Sequence, residues 1–123
     1  MEIDELIPPR SFEVGRERIN ISHVADIRHA TDEQITFRSE SGTEYDVVRK
    51  SWGYYATPSL AARLPGHGLR PALTRNIESG NFFVVLVEKG HEVNWLDYCA
   101  QEGQELVSWL DSSINLSRLS SSR

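Results

Sequence analysis

The densest group of chemically useful side chains lies in Arg49-Lys50-Ser51-Trp52-Gly53-Tyr54-Tyr55-Ala56-Thr57-Pro58-Ser59. Two cations precede three aromatic residues, and a helix start is expected just beyond them. Thr57 suits the cap of that helix, Pro58 its first position, and Pro65-Gly66 its end. Unpaired backbone N–H groups at a helix start carry partial positive charge and attract anions. Arg49 adds a planar fork that matches phosphate or carboxylate, and Lys50 a second charge. Trp52, Tyr54 and Tyr55 offer flat apolar faces with polar tips, suited to stacking on a sugar or base. Gly53 allows close approach or marks a bulge. The pattern points to a small anionic organic ligand, such as a sugar phosphate or nucleotide, held by Arg49, Lys50, Trp52, Tyr54, Tyr55, Thr57 and Ser59. The same side chains also fit a plain β-sheet edge. A third reading is the interface of a homodimer, because aromatic and arginine residues concentrate at the centres of protein contacts.

Other chemistry is thinner. Gly66-His67-Gly68 lacks the third glycine and the strand–helix context of a dinucleotide fingerprint. His67 is nevertheless expected at a loop tip, where an imidazole titrates near neutral pH, so it joins the candidate ligand residues. An enzyme built on the same pocket would draw its acid–base group from His67, Asp46 or Tyr55. Asp26, Glu44 and Glu88 are further strand carboxylates, expected on solvated faces. No two of His23, His29, His67 and His91 have the i, i+4 spacing of a helical zinc site, so no metal is expected. His23 is expected inside, satisfied by its neighbours. Cys99 falls on an apolar helix stripe, where a thiol is inert. No nucleophile elbow is present. The reading therefore leans away from an enzyme, implies no cofactor, and favours a small binding or accessory domain.

The elements that must position these residues are mostly strands. Phe12 to Val14 is short and Gly15 closes it. Ile19 to His29 alternates, with Ile19, Ile21, His23, Ala25 and Ile27 on one face, as a half-buried strand does. Ile35 and Phe37 continue the pattern, and Ser41-Gly42 makes a tight hairpin link. Tyr45 to Tyr55 reads as one extended run. Leu69 to Ile77 alternates weakly. Phe82 to Val87 is apolar at both parities, which predicts a central strand covered on both faces. A short helix is expected near 58–64. A longer one over His91 to Glu102 carries Val93, Leu96, Cys99 and Ala100 on one stripe, with Gly103 as a left-handed cap. Leu106 to Leu110 resumes as a strand. The fold class is α+β: an antiparallel meander or partly closed barrel of about six to seven strands, with one packed C-terminal helix. Residues 1–10, with Pro8-Pro9, form an extended arm, 11–111 the domain, and 112–123 a flexible serine-rich tail.

Composition agrees with one ordinary domain. The chain has 123 residues, 39% hydrophobic and 25% charged. Its net charge of −5 sets nucleic acid at a disadvantage as a partner. A single cysteine fits a reducing cytoplasm. The longest apolar run, Phe82 to Val87, is too short to cross a bilayer, so no membrane is expected.

Overall fold

The computed structural model describes residues 1–56 and 59–121. Its elements are β1 (Glu2–Val14), β2 (Ile19–Arg28), β3 (Gln34–Arg38), β4 (Glu44–Lys50), β5 (Gly53–Ala56), α1 (Arg63–Gly66), β6 (Leu69–Asn76), β7 (Phe82–Glu88), α2 (Glu92–Glu102), β8 (Gln104–Trp109) and α3 (Ser113–Ser121). The α+β class with antiparallel sheets stands. No barrel closes: the eight strands described form three separate sheets, β1-β2, β3-β4-β5 and β7-β6-β8.

The first sheet is a long two-stranded ribbon. Its ladder joins Glu2–Glu5 to Ala25–Arg28 and Arg10–Val14 to Ile19–His23. Leu6, Ile7, Pro8 and Pro9 therefore bulge opposite Val24 alone. The expected N-terminal arm is extended, and it is a strand as well, because the bulge takes up both prolines, which cannot donate to a ladder. Gly15, at φ +78°, starts the turn to β2.

The second sheet divides the run from Tyr45 to Tyr55. Ser51 and Trp52 form a tight turn between Lys50 and Gly53, which are paired across the hairpin. Gly53, at φ +146°, supplies the backbone conformation that breaks the strand. The short helix lies later than expected, at Arg63–Gly66, and Pro65-Gly66 are inside it. Thr57 and Pro58, its expected start, lie outside the described residues.

In the third sheet the centre is β6, where Phe82 to Val87 had been expected to be central. Pro71 does not disqualify β6. Its carbonyl accepts from the Leu110 N–H at 2.8 Å, on the side where β8 has ended. The missing N–H thus falls beyond that ladder. β7 is an edge strand, and its Phe82, Phe83 and Val84 are exposed. β7 and β8 are both antiparallel to β6, so they run parallel to each other on its two sides, with α2 as the crossover.

The core gathers on β6. Leu64 from α1, Leu69, Pro71, Ala72 and Thr74 from β6, Val87 from β7 and Cys99 from α2 are buried. α2 ends on Gly103 in the left-handed conformation, as its sequence implied. The buried face of α2 is not the expected stripe. Val93, Leu96 and Ala100 are exposed, whereas Cys99 and Glu102 are buried. Trp95 packs on Trp109, with ring centroids 5.3 Å apart. Polar anchors set this rotation: Glu92 reaches Arg70 and Glu102 reaches the β1–β2 turn. Residues 113–121, expected as a flexible tail, are helical. Ser112 caps them by accepting from the Asn115 N–H at 3.2 Å.

Candidate functional site

The β4–β5 hairpin carries the residues that drew attention first, and it uses most of their polar groups internally. Arg49 Nη1 donates to the Gly53 carbonyl at 2.9 Å and also to the Lys50 carbonyl. Its guanidinium lies 5.3 Å from the centre of the Tyr54 ring, the cross-strand partner of Arg49. Lys50 pairs with Asp32. Ser59 Oγ accepts from the Arg63 N–H at 2.9 Å. Trp52, at the hairpin tip, is 70% exposed. Tyr54 and Tyr55 are adjacent in a strand and so point to opposite faces. Tyr54 leans on His29 at 5.9 Å between ring centres. The three aromatics therefore do not line one wall. His67 is elsewhere.

His67 lines an open polar cleft of about 520 Å³ with Ser41, Thr43, Glu44, Glu88, Lys89 and His91. The Gly66-His67-Gly68 loop is where the second and third sheets meet. The Glu44 N–H donates to the His67 carbonyl at 3.3 Å, and the Lys89 N–H to the Gly68 carbonyl at 2.9 Å. Gly68, at φ +87°, lies against the Thr43 side chain. A close-approach glycine thus accounts for this part of the G-x-G pattern without any phosphate.

Glu88 is the hub of the cleft. Its Oε1 accepts from Ser41 Oγ at 2.6 Å and from Thr43 Oγ1 at 3.0 Å. Ser39 Oγ lies 2.7 Å from Ser41 Oγ. His91 Nε2 lies 3.6 Å from Glu88 Oε2. Hydrogen bonding, chiefly from Ser41, holds the Glu88 carboxyl below the usual carboxylate range. This is a poor arrangement for catalysis. The hydroxyls donate to a carboxylate whose basicity their bonds reduce, so neither nucleophile nor base is activated. The cluster instead fastens the β3–β4 turn to the end of β7. Asp46 is likewise engaged, accepting from Thr36 Oγ1 at 2.8 Å across its own sheet.

A second polar centre escaped the sequence reading. Arg70 Nε donates to Asp111 Oδ2 at 2.7 Å, Nη2 to Asp111 Oδ1 at 3.4 Å, and Nη1 to Glu92 Oε2 at 3.2 Å. Its guanidinium sits 3.8 Å over the Trp109 ring. One arginine thus ties β6 to the start of α2, to the end of β8 and to the segment before α3. The spacing of four residues so far apart in sequence carries no local signal.

The largest unexplained feature is apolar. Residues paired across an antiparallel ladder share a face. On one side of the bulge Ile3 therefore lies beside Ile27, and on the other Phe12 beside Ile21 and Val14 beside Ile19 share a face. The positions between these carry Glu2, Asp4, Asp26 and Arg28 on the first side of the bulge and Ser11, Glu13, Asn20 and Ser22 on the second, and the contact between His23 and Asp26 shows that the two halves do not continue as one regular face. All six apolar residues are exposed, and no other described element packs on the ribbon beyond isolated contacts. Its attachments are at its two ends. The Met1 ammonium lies 3.5 Å from Glu33. At the turn, the Glu17 N–H donates to Glu102 Oε2 at 3.1 Å, and Arg16 pairs with Glu78. His23, expected as a satisfied interior residue, is half-buried on this ribbon. Its Nε2 meets Asp26 at 2.8 Å, and its Nδ1 has no partner among the described residues.

Among the described residues no three His, Cys, Asp or Glu side chains converge as metal ligands, and no helix is long and apolar enough to cross a membrane. Compared with protein-family models, curated proteins and solved structures, the chain has no match.

Proposed function

We propose that this chain is a cytoplasmic protein-interaction domain that acts as a homo-oligomer. One observation carries the reading: the amount of surface left open. The accessible area is 8723 Å² for 14.0 kDa. A folded monomer of this mass is expected to expose roughly 6,700 Å². The excess of about 2,000 Å² exceeds the ~800 Å² that each partner buries in a standard protein interface. Much of it is apolar, on β1, β2, β7 and α2, whereas a monomer rarely leaves such patches uncovered. The single, buried cysteine fits a reducing compartment.

A small anionic ligand near residues 49–59 is the weaker proposal, because Arg49 and Lys50 are engaged with their own hairpin and with Asp32. Light scattering on the eluting peak of a sizing column tests the preferred reading. The expected mass is a multiple of 14.0 kDa from low to high micromolar concentration. A mass of 14.0 kDa throughout removes it.

A further inference from the structure

We propose that the outer edge of β7 pairs antiparallel with β7 of a second copy, which joins the third sheets of the two copies into one continuous sheet. The inference rests on the oligomeric reading above and adds where the copies meet and in what register.

The ladder to β6 shows which backbone groups are free. The Asn76 N–H donates to the Asn81 carbonyl at 2.8 Å, and the Lys89 N–H to the Gly68 carbonyl at 2.9 Å. Both pairs continue the β6–β7 register, so the bonded positions between them are Phe83, Val85 and Val87. Phe82, Val84 and Leu86 alternate with these, and their N–H and C=O groups point away from β6. Pro71, which has no N–H to give, sits opposite Leu86, as this parity requires. No other described strand pairs with β7 on that side. A row of free donors and acceptors is matched in full only by another strand.

The other described edges are guarded. Pro8-Pro9 and a bulge interrupt β1, and β2 carries His23, Asp26 and Arg28. β3 carries Gln34, Thr36 and Arg38, β5 is short, and β8 has a bulge and Glu105. Such features discourage edge-to-edge pairing. From Phe82 to Val87, β7 has no charge, no proline and no shift of register.

A copy is the occupant that closes the assembly. A separate peptide strand would leave a new open edge beyond itself. A two-fold pairing consumes both open edges at once and stops at two. With the axis at Val84, Val84 faces Val84 of the second copy, and Phe82 faces its Leu86 in both directions. All three outward residues then sit in bonded pairs, each exchanging both its hydrogen bonds. Phe83 faces the second copy's Val85, beside a hollow of about 250 Å³ lined by Phe83, Val85, Trp95 and Tyr98. Glu88, the first charge, falls opposite Gly80. Lys89, in no ion pair among the described residues, falls beside the turn that holds Glu78. Moving the axis to Val85 sets Glu88 against Phe82, and moving it to Phe83 sets Leu86 against Gly80.

Amide exchange reads the pairing directly. The Phe82, Val84 and Leu86 amides are expected to exchange at least ~10-fold more slowly in the assembled protein than in a sample diluted to monomer. Val84 is 62% exposed and meets itself across the axis, so Val84→Glu and Val84→Lys each bring like charges together. Each is expected to raise the dimer dissociation constant ~10-fold or more by sedimentation equilibrium. An equimolar mixture of the two is expected to form a heterodimer within ~3-fold of the parent constant. Val84→Pro removes an outward N–H and no bond to β6, so a folded monomer by circular dichroism is expected. The Glu and Lys variants decide the question if the proline variant does not fold. Ile21→Glu on the ribbon leaves the dimer intact. An oligomer whose three amides exchange freely, one that Val84→Glu and Val84→Lys leave undisturbed, or one that Ile21→Glu dissociates overturns the β7 contact and leaves the oligomeric reading standing. A monomeric parent chain overturns both and leaves the edge to a strand of another protein.

Discussion

Replacing Arg70 by lysine keeps one positive charge and removes both the fork and the flat ring contact. A lysine ammonium can donate once to Asp111 and once to Glu92, so the second contact to Asp111, at 3.4 Å, is lost. At that length the bond contributes no more than an ordinary hydrogen bond, about 1 kcal/mol. The stack on Trp109, at 3.8 Å with the Arg70 side chain only 26% exposed, adds about 1 kcal/mol. The expected loss is thus about 2 kcal/mol. With about 2.1 cal/mol/K of unfolding entropy per residue, a chain of this length melts about 8 °C lower. Thermal unfolding followed by circular dichroism reads this directly. Both proteins must be compared at one concentration, because assembly makes the midpoint concentration-dependent. Asp111→Asn should act in the same direction, and the pair should be non-additive. A midpoint within 2 °C of the parent for Arg70→Lys would refute the view that this clamp holds β6, α2 and the approach to α3 together.

Leu64→Ala removes the α1 side chain from β6, where it is 1% exposed, and should cost about 3 kcal/mol in urea unfolding; a cost under 1 kcal/mol would mean that α1 does not seal the core. Gly15→Ala forces a side chain into a φ of +78° and into the Glu102 carboxylate that anchors the ribbon turn, so a loss of about 1–2 kcal/mol is expected, with faster amide exchange at Glu17. The Glu88 carboxyl sits below its unfolded value, which lies near ~4.3, so its contribution is complete above that pH and is lost as pH falls through the folded value. Glu88→Gln should therefore flatten the acid limb of the stability–pH curve and leave its slope near neutrality unchanged; an unaltered acid limb would show that the Ser41 and Thr43 bonds do not bias ionisation.

What the sequence disclosed follows the range over which each signal acts. The alternation at the start of β2 was legible because it is local, and Ile19 and Ile21 share a face with Val14 and Phe12; it does not run unbroken past Val24, where His23 and Asp26 meet. The Gly103 cap was legible for the same reason. Its partner strand was hidden, because Pro8-Pro9 argues against a strand unless a bulge removes those residues from the ladder. The centre of the third sheet was misread. An apolar run at both parities signals two covered faces without saying what covers them, and within one chain Phe82 to Val84 are open. The face of α2 was turned by Glu92 and Glu102, whose partners Arg70 and Glu17 lie far away in sequence. The candidate ligand residues were individually conspicuous, but only pairing showed that Arg49 is consumed by its own hairpin and that His67 belongs to a different cleft.

The most direct test of the central claim is an isotope-filtered nuclear Overhauser measurement on a mixture of labelled and unlabelled chains. Methyl contacts between the two copies are predicted. A sharp spectrum of a 14.0 kDa species with no contacts between copies would contradict the account.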